Sequence, residues 1–463
     1  MTARPRPHGL RENARPEPDE PREPARQALA RHGPNLAEAA IRVHAEDVTT
    51  RLATQRARWR RGFTRRRVIA GAGAVGVAAL GSQLATTRVA YGDPAATRRT
   101  LVVVFLRGGM DGLSVVVPGG DPDLYAARPG IAVPAAALLP ADNRFGLHPA
   151  LAPLYPLWKA GTMAAVHAVA SPDASRSHFQ AQDCLERGAA SVSVGSGWLD
   201  RVLEALGPGT TFRAVAEGSS LPRSLVGASE KLVLRSIREY RIDGAGGAVR
   251  DRTVEALRAL YTGIDHPVAA QARNALQSLA TARRIAEAGY DPAQPYPGGG
   301  FADQLRDVAR LVKNQVGLRV AAIDVGGWDM HTGLGTVDGG DMRNQLTSVA
   351  ESLAAFAADL GPALADVTLV TMSEFGRRVA ENGNAGTDHG HGGVMLLLGG
   401  GLVGGRVHGR WPGLAEAALD HGDVARANDY RDVLGELLSA RLGVTDLPKI
   451  FPGHTYHRLG VFR

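Results

Sequence analysis

Short, uninterrupted apolar runs alternate along this chain with stretches whose apolar residues recur every three or four positions. Leu101–Leu106 and Met163–Ala170 are continuous runs, as expected of strands buried on both faces. Leu318–Ile323, Val367–Met372 and Val394–Leu398 read the same way. Phe301–Val316 instead places Phe301, Leu305, Val308, Leu311, Val312 and Val316 on one helical face, and Gly317 stops it. Met342–Leu360 repeats the pattern with Leu346, Val349, Leu353, Phe356 and Leu360, and Gly361 follows. Asp429–Leu442 is a last helix ended by Gly443, and Ala248–Ala288, rich in Arg and Ala, reads as a helical insertion or a cap over a sheet. Gly-rich pieces at 244–247, 298–300 and 399–405 read as loops. Strands alternating with helices predict an α/β sheet, and no internal repeat is present.

The first fifth of the chain is different. Residues 1–63 are rich in Pro, Arg, Glu and Ala and cannot build a core. Thr64-Arg65-Arg66-Arg67 then precedes an Ala/Gly/Val run from Val68 to about Leu84, too short and mild for a membrane span. A charged start, an apolar middle and small residues before a cut describe a signal peptide over 64–92. The Arg65-Arg66 pair resembles the twin-arginine export signal, and Ala90-Tyr91-Gly92 is a plausible cleavage site. Gly71–Gly76 also fits GxGxxG, but a dinucleotide site needs a buried strand before it. Only Val68-Ile69-Ala70 precede it, behind three arginines.

Charge follows the same division. The chain of 463 residues carries +7 overall, yet residues 1–92 hold 17 Arg against 8 Asp or Glu, so the rest stands at −2. The body is therefore not a basic protein, and neither a nucleic-acid partner nor a stable membrane span is expected of it. Cys184 is the only cysteine, which excludes an intramolecular disulfide and a cysteine-based zinc site. Its acidic neighbours, Asp183 and Glu186, make it a poor nucleophile.

Ligands of parallel sheets gather at the carboxyl ends of strands. After the first strand comes Arg107-Gly108-Gly109-Met110-Asp111, and after the second Ser171 to His178, including Ser175, Arg176 and Ser177. Asp329 and His331 follow the run at 318–323, Glu374 and Arg377 follow Val367–Met372, and Asp388, His389 and His391 precede Val394–Leu398. Carboxylates and imidazoles together suit one or two divalent ions such as Zn, Mn, Mg or Ca. Ser175, expected to start a helix, would sit where backbone N–H groups favour an anion. Arg107, Arg176 and Arg377 are expected to clamp phosphate or sulfate oxygens. The bland alternatives are a helix cap for Ser175, a turn cap for Asp329 and surface roles for the arginines.

LRGGMDGLS (106–114), SPDASRSHFQAQD (171–183), GGWDMHTG (326–333), SEFGR (373–377) and DHGHGG (388–393) resemble the Tat-exported domain-of-unknown-function family fifteen-oh-one, of the alkaline phosphatase and sulfatase superfamily. The resemblance covers nearly all of 100–463. It implies an alkaline-phosphatase-like three-layer sandwich with a mostly parallel sheet, two divalent metals and a Ser or Thr nucleophile. On this resemblance Asp111, Asp329, His331 and His391 match metal ligands, and Ser175, with His178 shortly after and Ser177 as its rival, matches the nucleophile segment. The superfamily's Asp-His-Gly reads Glu374-Phe375-Gly376 here, so either His389 substitutes or one metal is lost. The expectation is an exported metal-dependent hydrolase of a small phosphate or sulfate ester, delivered by the twin-arginine machinery to the periplasm, envelope or medium. The alternative is a silent binding or assembly protein on the same scaffold.

Overall fold

The computed structural model describes residues 99–241 and 247–463; the leader at 1–63 and the export signal at 64–92 lie outside them. The strands of the main sheet are β1 (Thr100–Leu106), β2 (Met163–Ala170), β3 (Ala214–Glu217), β4 (Leu232–Leu234), β5 (Val320–Val325), β6 (Val367–Met372), β7 (Gly393–Gly399), β8 (Val407–His408) and β9 (Asn428–Asp429). Their order is β8-β2-β7-β6-β1-β5-β3-β4, with β9 beside β8 on β2. Strand β7 runs antiparallel to both its neighbours, β2 and β6, and every other pairing in this sheet is parallel. The architecture is thus a mostly parallel sheet between helices.

Strand β1 shows why its run is apolar throughout. Val102, Val104 and Leu106 face one core, while Leu101, Val103 and Phe105 face another on the opposite side of the sheet. The first core is closed by α5 (Gly300–Lys313) through Leu305, Val308 and Leu311, and by α6 (Asp341–Leu360) through Leu346, Val349, Leu353 and Phe356. The second is closed by α2 (Trp198–Ala205) through Leu199, Val202 and Leu203, and by α7 (Tyr430–Leu437) through Val433, Leu434 and Leu437.

Several boundaries differ from the sequence pattern for identifiable reasons. The strand expected at 318–323 is β5, two residues later. Pairing with β1 fixes its register from Leu101↔Val320 to Leu106↔Val325, and the Leu318 carbonyl instead accepts from the Thr100 hydroxyl at 2.8 Å. The helix expected at Ser175 is α1 (His178–Arg187), whose cap residue is Ser177. The final helix stops at Leu437 and continues as one wide π turn over Leu438–Leu442 before Gly443 (φ 70°). Strands β3 and β4 and helix α2 were not visible in the pattern. The two strands are four and three residues long, too short to show a period.

The region read as an insertion at 248–288 holds two helices, α3 (Gly247–Tyr261) and α4 (Pro267–Glu287). Helix α4 gives Ala282 and Ile285 to the first core. Helix α3 falls into a different compact unit from the sheet and is a helix of 15 residues. No helix among the described residues is long and apolar enough to cross a membrane.

Candidate metal centre

The centre is built at the carboxyl ends of β5 and β6. Beyond β5 the chain turns at Gly327 (φ 90°), and burial then alternates: Trp328 and Met330 are buried while Asp329 and His331 are open. Gly108, after β1, has φ 124° and lies so close to this segment that a Cβ would stand 2.4 Å from the Asp329 nitrogen. His389 is carried alongside by an antiparallel bridge to Arg377. His178 is the first residue of α1. Three segments far apart in sequence thereby deliver one carboxylate and three imidazoles.

These groups converge. His331 Nε2 is 2.9 Å from His389 Nε2 and 3.1 Å from Asp329 Oδ1. His389 Nε2 is 3.2 Å from Asp329 Oδ1, and His178 Nε2 is 3.4 Å from Asp329 Oδ2. Two ligands of one tetrahedral ion, each about 2.0–2.1 Å from it, stand about 3.3 Å apart. The donor atoms of His178, Asp329 and His389 all lie within 4.8 Å of one another.

Each imidazole is also fixed from behind. His178 Nδ1 faces Glu374 Oε1 at 2.8 Å, His389 Nδ1 faces the Arg176 carbonyl at 2.9 Å, and His331 Nδ1 faces Asp388 Oδ1 at 3.3 Å. All three partners can only accept, so each Nδ1 carries the proton and each Nε2 presents its lone pair. His178 Nε2 is buried without a hydrogen-bond partner, the state of a donor atom prepared for something else. Burial, with Arg377 and His178 beside it, holds His389 below the ordinary imidazole range despite the neighbouring Asp329 carboxylate and Arg176 carbonyl. Burial pushes the Asp329 carboxyl up, but the Arg377 guanidinium that donates to it, with His389 and His178 beside it, outweighs this and brings it down to about 2. Neutral imidazole beside an ionised carboxylate is the protonation state that a divalent ion requires.

The remaining residues singled out by sequence take other places. Glu374 is buried; besides His178, it accepts from the Gly108 N–H at 2.9 Å and from Gln182 at 2.8 Å. Burial raises its pKa, yet those hydrogen bonds prevail and keep it below the usual range. It is a support for His178 rather than an open ligand. Asp388, held below its ordinary value first by the Asn382 amide, supports His331 in the same way. Asp111, expected to bind metal, is closed off: Arg128 grips both its oxygens at 2.5 and 2.9 Å, and Ser114 donates to it at 2.6 Å. His391 points away, with Nε2 donating to the Ser171 carbonyl at 2.9 Å. The donors expected for a second ion are therefore engaged elsewhere, and the residues fit one.

The three arginines expected to clamp an anion are all paired. Arg107 bonds Glu186 and Asp324, each at 2.9 Å. Arg176 bonds Asp423 at 2.5 Å. Arg377 is buried; it donates to the carbonyls of Gly108, Gly109, Trp328 and Thr387 and to Asp329 Oδ1 at 2.6 Å. It positions Asp329. Ser175 is exposed and donates to Asp173 at 2.7 Å, whereas the Ser177 hydroxyl makes no capping bond to the helix it starts. Phe375, which cannot ligate, packs its ring 4.9 Å from His178 and 4.7 Å from His389, centre to centre, and so walls the imidazoles in. Cys184 is buried, and burial and nearby Asp173 and Asp183 push its thiol up.

Sequence reasoning missed Gln182, Arg128 and Asn382. Gln182 had a signal: it lies one helical turn after His178 and shares its face. Arg128 and Asn382 reach their partners from loops, where spacing carries no such information.

A family model described as "Protein of unknown function (DUF1501)" matches residues 158–428. No curated protein matches the sequence. Among solved structures, the C-terminal periplasmic domain of EcEptC from Escherichia coli, a complex with Zn, is 10% identical with a TM-score of 0.32, covering 68% of this chain and 77% of that one. PsFucS1 sulfatase from Pseudoalteromonas sp. is 11% identical with a TM-score of 0.30, covering 67% of this chain and 64% of that one. Alkaline phosphatase from the Antarctic bacterium TAB5 is 10% identical with a TM-score of 0.25, covering 66% and 93%. With more than half of its length matched by that model, the chain belongs to the DUF1501 family.

Proposed function

We propose that this protein is a hydrolase of small phosphate or sulfate esters that depends on a single divalent ion and is exported by the twin-arginine route. The observation that carries the reading is the buried, unpartnered Nε2 of His178, which faces Asp329 together with the Nε2 atoms of His331 and His389. His178, Asp329, His331 and His389 would hold the ion. Bound there, it supplies Lewis-acid polarisation of an ester oxygen and offsets charge developing in the transition state. Glu374, the Arg176 carbonyl and Asp388 hold the Nδ1 protons and so keep the three rings aimed. Arg377 fixes the Asp329 carboxylate.

For the nucleophile, Ser177 is better placed than Ser175. Ser177 is the residue immediately before His178, at the start of α1, where free N–H groups favour an anion. Ser175 spends its proton on Asp173. Because Arg107, Arg176 and Arg377 are all paired, substrate charge would be met by the ion and the α1 N-terminus, not by an arginine clamp.

The purified chain should contain about one zinc-like ion per molecule by elemental analysis, and should cleave an aryl phosphate or aryl sulfate. Asp329→Ala should remove both properties. Ser177→Ala should remove turnover and keep the ion, and Ser175→Ala should keep both. Full turnover in Ser177→Ala sinks the nucleophile, and no bound ion after growth with added metals sinks the centre.

One observation favours the silent alternative. The Arg377 guanidinium already lies against Asp329 Oδ1 at 2.6 Å and balances its charge without an ion. A protein that binds no ion and cleaves neither ester, while folding normally, would be the binding or assembly protein of that reading.

A further inference from the structure

A cleft of about 540 Å³ opens elsewhere on the sheet, along its edge. Strand β2 carries two short parallel strands end to end on that edge, β8 at Ala165–Val166 and β9 at Val169–Ala170. Between them Asn428 ties the backbone together: its amide donates to the carbonyls of His167 and Arg410, at 2.7 and 2.9 Å, and its oxygen accepts from the Arg410 N–H at 3.0 Å. The cleft is thus a fixed depression rather than a gap between loose loops.

Its lining is mostly cationic. Arg406, Arg410, His457 and Arg458 border it, with Asp432 as the one carboxylate among the lining residues. The guanidinium groups of Arg406 and Arg410 make no hydrogen bond or ion pair among the described residues. Arg458 donates to the Phe462 carbonyl at 3.4 Å and otherwise reaches a carboxylate oxygen of Glu436 at 3.8 Å. The acidic groups are largely engaged by other donors; Asp432 Oδ2 lies 3.7 Å from His457 Nδ1 within the lining. Asp432 accepts from His454 Nε2 at 2.7 Å and from the His457 N–H at 2.8 Å. Glu436 accepts from the N–H groups of Leu459, Gly460 and Phe462. Arginines that line one cleft, with the nearest carboxylates largely engaged by other donors, favour an anion there. The contrast with the centre is direct, since every arginine expected to act there is already paired.

We propose that this cleft is a second site, which binds a multiply charged phosphate-type anion. The volume lies within the range of small-molecule sites of about 300–1,000 Å³. A guanidinium fork pairs two donors with two phosphate oxygens, and two unpaired forks favour a ligand bearing more than one phosphoryl group. The site needs no ion at the strand-end centre, so it stands or falls apart from the hydrolase reading.

Calorimetric titration of the full chain with sodium tripolyphosphate tests it, with citrate as a carboxylate control. One tripolyphosphate should bind per chain, more tightly than citrate. The Arg406→Gln/Arg410→Gln variant should weaken binding by about tenfold or more, since it removes two charge-assisted bidentate contacts. Both side chains are exposed, so its melting temperature should match the parent's; Arg458→Gln gives a second, independent reduction. Asp329→Ala should bind as the parent does. Absence of binding below about 1 mM, weaker than about −4 kcal/mol, overturns the proposal. So does unchanged affinity in both arginine variants, loss of binding in Asp329→Ala, or citrate binding as tightly as tripolyphosphate.

Discussion

Asp111 and Asp329 occupy equivalent positions in the chain's logic: each is a carboxylate in a Gly-rich loop just past a buried parallel strand. Their environments are opposite. Asp111 is 1% exposed and gripped on both oxygens by Arg128. Burial pushes its carboxyl up, and Arg128 with Ser114 outweighs that and holds it down. Asp329 is about half exposed, and its Arg377 partner touches only Oδ1, leaving Oδ2 toward His178. One loop end is a structural clasp and the other is open to a ligand. Proximity to a strand end decides neither outcome; what decides is whether a guanidinium closes on both oxygens.

The largest expected effect lies in the clasp. Arg128→Ala leaves the Asp111 charge buried without its partner, and breaking such a pair costs about 3–5 kcal/mol. Urea denaturation should show that loss, while the folded fraction keeps its metal content. Asp329→Ala should do the reverse, because its carboxylate is half exposed and Arg377 keeps its backbone carbonyl acceptors without it: metal content falls to the background, and the urea midpoint moves little. If Arg128→Ala released metal and Asp329→Ala unfolded the protein, the contrast between the two loops would be wrong.

This contrast was not legible beforehand, since both loops read as metal carboxylates, but much of the architecture around them was, and the limits are physical. The long strands β1, β2 and β6 announce themselves because both their faces are buried, so apolar residues fill most of each run and only His167 in β2, Thr100 at the start of β1, and Thr368 and Thr371 in β6 break it. The segments that meet at the centre were also visible, since Asp, His and Gly at strand ends are a local signal. Which members of each segment meet was not. His389 and His391 are two residues apart, yet one reaches Asp329 and the other the Ser171 carbonyl. Arg128 claims Asp111 from 17 residues away, and Arg377 claims Asp329 from 48. Such choices are made by packing between segments, which spacing along one segment does not encode.

Acid should separate the buried histidines from those of the centre. Burial lowers His148 and His167 to about 4, with Arg343 adding to the effect at His148. His167 stacks on Phe145, and its Nδ1 accepts from the Ala168 N–H. An unfolded chain takes up these protons near pH 6.5, before the folded chain does. Stability therefore rises with pH between about 4 and 6.5 and is lost as pH falls through that window. His167→Phe should flatten part of the slope in urea titrations at pH 4.5 and 7. An unchanged slope would mean that His167 is not held neutral by its surroundings.

The smallest effects compare the two carboxylates that stand behind the imidazoles. Glu374 is fully buried and 2.8 Å from His178 Nδ1, and it also accepts from Gly108, Gln182 and the Ser373 hydroxyl. Asp388 is more than half exposed and 3.3 Å from His331 Nδ1. Water can replace Asp388 as an acceptor but cannot reach Glu374. Glu374→Gln should therefore weaken metal binding by about 10–100-fold, the range for losing an outer partner of a ligating histidine. Asp388→Asn should weaken it by less than about threefold, as expected of an exposed pair worth under 1 kcal/mol. Chelator competition on both variants reads the two constants directly. Equal losses would show that charge rather than burial sets the strength of the support, and a larger loss at Asp388 would place His331, not His178, at the heart of the centre.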